Sequence, residues 1–124
     1  MPEFRILVAD DEPRIRSFLR RGLSLEGYGV LEADSGAAAV EMTRTAQPDL
    51  IILDWMMPGM DGPEALRQIR KAGSLIPILF MTGRDGAPED GLVLGANDYF
   101  HKPVEFLLLL EKLKFFLPSK IILA

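Results

Sequence analysis

The sequence predicts an α/β protein, a doubly wound (βα)5 three-layer sandwich built on a parallel sheet. Three observations predict it. Apolar runs of strand length alternate with segments of helical spacing, and strands joined through helices pair in parallel by right-handed crossovers. The runs "LIILD" and "PILFM" are apolar at consecutive rather than alternate positions, as in a sheet covered on both faces. Polar residues of distinctive chemistry stand at the ends of these runs, where open α/β sheets bind ligands.

The elements follow in order. "FRILVAD" (4–10) reads as a strand that ends on acids, and Glu12-Pro13 opens a helix, proline being well tolerated in a first turn. Ile15, Phe18, Leu19 and Leu23 give that helix an apolar stripe. Gly27 and Gly29 bracket a turn before the second strand, "YGVLEA". Asp34 and Ser35 are candidate caps for a second helix, with a small face from Ala37 to Val40, and Gln47-Pro48 ends it. "DLIILD" is the third strand, and Pro63 starts a third helix with Leu66 and Ile69 inward, closed by Gly73. "PILFMT" is the fourth strand. The stretch "GRDGAPEDGLVLG" behind it makes a poor helix, because glycine and proline are both disfavoured in helix interiors. "NDYFHKP" supplies a short fifth strand and "VEFLLLLEKLKFFL" a last helix.

Composition bounds the function. A chain of 124 residues is large enough for a hydrophobic core and reads as a single domain over residues 1–124. A net charge of −4 argues against direct nucleic-acid binding, and the absence of cysteine excludes disulfides and thiolate metal sites. The start has no signal-peptide pattern, and the longest apolar segment is broken by charges and too short to span a bilayer. A soluble cytoplasmic domain is expected, with no membrane partner.

The chemistry gathers at the carboxyl ends of the strands. Strand one ends in Asp10 and Asp11, strand three in Asp54, strand four in Thr82, and strand five runs into Lys102-Pro103. If the sheet order is 2-1-3-4-5, as in flavodoxin-like folds, strands one and three are neighbours at the switch point and the three carboxylates converge. Two unit charges ~4 Å apart at an effective dielectric of ~20 interact by about 4 kcal/mol. Lys102 supplies one positive charge against three negative ones, which leaves room for a divalent ion. All-oxygen ligands point to Mg2+, or to Mn2+. A carboxylate beside such an ion, a lysine and a hydroxyl is equipped to attack phosphorus and form an acyl phosphate. The bland alternative is that Asp54 caps a turn and Thr82 is an ordinary strand residue.

"LVADDEP", "LIILDWMMPGMDG", "PILFMTG" and "NDYFHKP", in that order and across essentially the whole chain, resemble the response-regulator receiver domain of two-component signalling. The resemblance implies the flavodoxin-like fold and a phosphoacceptor role for Asp54, loaded by a sensor histidine kinase or phosphotransfer protein. It implies Mg2+ on Asp11, Asp54 and the backbone carbonyl of Met56, with Asp10 reaching it directly or through water. Thr82 and Lys102 would bind the phosphoryl group, Tyr99 would be an aromatic switch, and the Lys102-Pro103 bond would be cis. Phosphorylation would shift the face built on the fourth and fifth strands and the helices that follow them. Such a domain catalyses only its own Mg-dependent phosphorylation and dephosphorylation. The chain is then a stand-alone receiver or the receiver of a longer response regulator.

Departures and surpluses remain. The segment from Thr82 to Tyr99 is slightly shorter than is usual in the family, and Pro88 and Gly91 would sit inside its helix, so that helix is expected to be short or mobile. Met56 and Arg84 occupy positions that tune phosphoryl lifetime in the family. A thioether orients water poorly and a guanidinium can shield phosphoryl oxygens, which suggests a long-lived phosphoaspartate. The last helix and the tail "IILA" carry more apolar residues than one buried stripe requires. Phe106, Leu109, Leu110, Leu113 and Phe116 are therefore the expected contacts with a second copy or an output domain. His101 reads as a surface residue, and Trp55 as a packing residue able to report metal binding.

Three rivals compete. A haloacid-dehalogenase-like aspartyl-phosphate phosphatase needs a second carboxylate two residues after its nucleophile, where Met56 stands. A flavin- or nucleotide-binding domain needs a phosphate loop after strand one, where Asp10-Asp11-Glu12 would repel phosphate. A phosphorylation-independent binding scaffold has no use for a complete acidic pocket.

Overall fold

The computed structural model describes residues 2–83 and 95–118. Five strands, β1 (Arg5–Ala9), β2 (Gly29–Ala33), β3 (Leu50–Asp54), β4 (Ile78–Thr82) and β5 (Asp98–His101), form one parallel sheet in the order β2-β1-β3-β4-β5. The described helices are α1 (Pro13–Leu25), α2 (Gly36–Ala46), α3 (Gly62–Lys71) and α4 (Phe106–Phe116), the last helix.

The unbroken apolar strands are explained by the two faces they serve. Ile6 and Val8 of β1 and Leu50 and Ile52 of β3 pack with Leu19 and Leu23 of α1 and with Leu109, Leu110 and Leu113 of α4. The alternate residues Leu7, Ala9, Ile51 and Leu53 pack with Ala39 of α2 and with Ala65, Leu66 and Ile69 of α3. Each strand thus feeds two cores because successive side chains point to opposite faces.

Helix ends follow local chemistry. Pro13 stands in the first turn of α1. Ser35, and not Asp34, caps α2, its side chain accepting the backbone N–H of Ala38 at 3.0 Å. The helix closes on Gln47 in the left-handed region (φ 48°), since Pro48 disfavours a helical residue before it. Asp61 caps α3 by accepting the Glu64 N–H at 2.9 Å.

Two packing expectations are corrected. Phe18 is half exposed, with its ring edge-on to Phe106 at 6.0 Å, and only Leu19 and Leu23 of the α1 stripe are fully buried. Leu109, Leu110 and Leu113 of α4 lie in the core rather than on an outer surface, and Phe106 and Phe116 pack against that core. A helix seated on a sheet must bury one stripe, and these residues form it. The apolar side chains that α4 leaves outward are Leu107, Leu108 and Phe115. The expected helix containing Pro88 and Gly91, Arg84 and the tail "IILA" lie outside the described residues.

Candidate functional site

The site lies beyond the carboxyl ends of β1, β3, β4 and β5, where the chain reverses direction across the sheet between β1 and β3. Asp10 follows β1 and is fully buried. Its N–H still bonds Ala33 of β2, while its Oδ1 accepts the Glu12 N–H at 2.8 Å and turns the chain toward α1. Arg16 of α1 reaches back to donate to the Asp10 carbonyl at 2.7 Å and pairs with Glu32 of β2 at 3.2 Å. That brace was not visible in the sequence, because a long side chain from the next helix makes it.

Asp54 ends β3 and is also buried, whereas Asp11 is exposed at the rim. Carboxylate oxygens of Asp10, Asp11 and Asp54 all lie within 4.8 Å of one another. Lys102 Nζ enters from the loop after β5, 3.0 Å from Asp10 Oδ2 and 3.2 Å from Asp54 Oδ1. The Lys102-Pro103 peptide is cis, as the family resemblance implied. The backbone N–H of Lys102 bonds the Thr82 carbonyl at 2.8 Å, tying the lysine to the end of β4.

The loop after Asp54 is set by close packing. Gly62 donates its N–H to the Trp55 carbonyl at 2.9 Å, and a Cβ at Gly62 would collide with the backbone oxygen of Asp54. Trp55 packs against Phe80 with ring centroids 4.8 Å apart. Met56 points to solvent, 74% exposed.

Electrostatics reflect the crowding. Burial, then the neighbouring Asp10 charge, push the Asp54 carboxyl up to about 6, while Lys102 and the Met56 backbone N–H pull the other way. For Lys102, burial alone would lower the ammonium, but the close Asp10 and Asp54 carboxylates hold it above its ordinary range.

These residues fit a hard divalent cation. Asp10 Oδ2 meets Lys102 at ion-pair distance, yet it is buried without a directed hydrogen bond. Among the described residues, three convergent carboxylates face one ammonium and are under-neutralised, and a hard cation held by oxygen donors at this spacing is the remedy.

Thr82 is fully buried at the end of β4, and its hydroxyl pairs with Nδ1 of His101, 3.2 Å away, its register partner on β5. Tyr99 is half-buried, packs beside the core facing α2 and α3, and meets the His101 ring edge-on at 5.8 Å. His101 is exposed, as the sequence suggested, but it touches two of the expected switch residues.

The model of the response regulator receiver domain matches residues 6–114. The chain belongs to that family. The receiver is 46% identical over 112 residues to the response regulator MprA of Mycobacterium ulcerans, covering 89% of this chain and 48% of that protein. It spans about half the length of the curated relatives it matches. Among solved structures, a putative response regulator from Chloroflexus aurantiacus superposes with a TM-score of 0.88 at 32% identity, covering 96% of this receiver and all of that chain. The response regulator TrrA of Thermotoga maritima, solved in complex with Mg2+-BeF, superposes with a TM-score of 0.85 at 38% identity, covering 94% of this receiver and all of that chain. Receivers of this family act in two-component signalling. Among the described residues, no helix is long and apolar enough to cross a membrane.

Proposed function

We propose that the receiver is a phosphoacceptor switch in which Asp54 takes a phosphoryl group from a histidine kinase or phosphotransfer protein. The observation that carries the reading is Lys102 standing between Asp10 and Asp54 in a crevice whose three carboxylates converge. An Asp54 oxygen attacks phosphorus, the P–N bond of a phosphohistidine breaks, and the imidazole leaves with the electron pair. The product is an acyl phosphate. Lys102 faces the incoming oxygens, and Thr82 supplies a hydrogen bond to them. Asp10, Asp11, Asp54 and the Met56 backbone carbonyl are the ligands we assign to Mg2+, which would neutralise charge on the phosphoryl oxygens when bound. No acidic residue stands two positions beyond Asp54, so the domain catalyses only its own loading and hydrolysis and turns over no external substrate.

The added charge and acceptor oxygens draw Thr82 toward the phosphoryl group, and Tyr99 follows into the space it vacates. The outward Leu107, Leu108 and Phe115 of α4 then offer an apolar face to a second copy or to an output domain. Sedimentation of a monomer both before and after loading would remove the second copy from this reading.

Trp55 fluorescence tests the site itself. Titration with Mg2+ and then acetyl phosphate should give two successive changes, and Asp54→Asn should lose the second. A response to acetyl phosphate that survives Asp54→Asn would reject Asp54 as acceptor.

A further inference from the structure

His101 precedes Lys102 at the end of β5, and nothing in the proposed chemistry uses it. It is exposed, yet it holds the one polar side-chain atom that the buried Thr82 carries. The Thr82 hydroxyl is bonded to His101 Nδ1 at 3.2 Å, and among the described residues no other hydrogen bond to that hydroxyl is formed. The pairing is built into the sheet, because Thr82 and His101 are register partners on β4 and β5 and face the same side. The His101 ring also meets Tyr99 edge-on at 5.8 Å. One imidazole therefore touches both residues that are expected to move.

We propose that His101 is a positioning residue for Thr82: it holds the threonine hydroxyl in the unloaded protein, and this bond is exchanged for one to the phosphoryl group when Asp54 is loaded. The inference rests on the phosphoacceptor reading of Asp54 and adds to it a partner for Thr82. A buried hydroxyl needs a hydrogen-bond partner, and in the unloaded receiver the imidazole meets that need. The exchange is that of the tautomer with the ring proton on Nε2, in which Nδ1 accepts the one proton the hydroxyl can donate. Phosphoryl oxygens only accept, so loading must take the hydroxyl's single proton away from Nδ1, and His101 biases the receiver toward the unloaded state. An ordinary intramolecular hydrogen bond shifts such an equilibrium by about threefold to tenfold.

The test is fluoroberyllate binding in the presence of Mg2+, read by fluorine NMR on the full chain. His101→Ala should bind about threefold to tenfold more tightly than the wild type. His101→Asn, which keeps a polar group near the Nδ1 position, should return to wild-type affinity. In a Thr82→Ala background, His101→Ala should change nothing, because the bond it removes is already gone. If the wild type binds and Asp54→Asn does not, but His101→Ala matches the wild type, the inference is overturned while the phosphoacceptor reading stands. Equal tightening by His101→Ala with and without Thr82 also overturns it. Binding by neither wild type nor Asp54→Asn overturns the phosphoacceptor reading, and the inference falls with it.

Discussion

Lys102 Nζ stands 3.2 Å from Asp54 Oδ1, and this contact joins the end of β3 to the loop after β5 across the intervening strand β4. The same ammonium lies 3.0 Å from Asp10 Oδ2, so among the described residues one cation offsets two buried carboxylates. Replacing it exposes them to each other. Lys102→Met should lower stability at pH 7 by about 2 kcal/mol, less than a fully buried pair would lose because the lysine is partly solvated. Urea unfolding of the two proteins measures the difference, and acetyl phosphate should load the variant far more slowly.

Asp54 gives a pH signature. Its carboxyl is raised to about 6, mainly by burial and then by Asp10, so the folded protein holds this proton over a range in which the unfolded chain has lost it. The stability that this proton confers is full below the unfolded value of about 4 and is lost as pH rises through about 6. Without metal, the wild type should therefore lose up to about 2 kcal/mol relative to Asp54→Asn between pH 4.5 and pH 7. Denaturant midpoints of both proteins at the two pH values check the sign.

Asp11 separates metal binding from folding. It is exposed, so Asp11→Asn should change stability by no more than about 0.5 kcal/mol. The same change removes one of the three converging carboxylates, and the Mg2+ response of Trp55 should weaken at least tenfold, on the scale of about 1.4 kcal/mol for one lost charged ligand. A variant that binds Mg2+ as the wild type does would remove Asp11 from the site.

Gly62 is a backbone requirement of the site. A side chain there collides with the Asp54 carbonyl and crowds the Phe80 ring. Gly62→Ala should destabilise by about 1–3 kcal/mol and displace the end of β3, slowing loading of Asp54. Calorimetry and the loading rate report the two effects separately.

The last helix shows where sequence reading stops. Phe106 to Leu110 is apolar on every side, so the pattern establishes a helix but gives no phase. The sheet chooses Leu109, Leu110 and Leu113 as the buried stripe and leaves Leu107, Leu108 and Phe115 outside. Leu113→Ala should therefore cost about 2–5 kcal/mol, whereas Leu107→Lys should leave the unfolding midpoint unchanged.

Elsewhere the sequence was more legible. A run such as Leu50–Asp54, short, β-branched and bounded by turn residues, reads as a strand buried on both faces, and its terminal carboxylate marks the site edge. The strand order 2-1-3-4-5 was a supposition that no single run dictates; the sheet adopts it and brings Asp10, Asp11, Asp54 and Lys102 together. Strand ends were less legible, since Asp10 leaves β1 through a bond of its own side chain to Glu12. The contact between Thr82 and His101 was missed, because it joins residues on separate strands and depends on their register.

Every role proposed for the receiver depends on Asp54 accepting the phosphoryl group. Intact-protein mass after incubation with acetyl phosphate and Mg2+, run beside Asp54→Asn and beside a sample with EDTA, tests it most directly. The expected result is a gain of one phosphoryl group in the wild type with Mg2+ and in neither control. A gain that persists in Asp54→Asn, or no gain in the wild type even with a competent phosphohistidine donor, would contradict it.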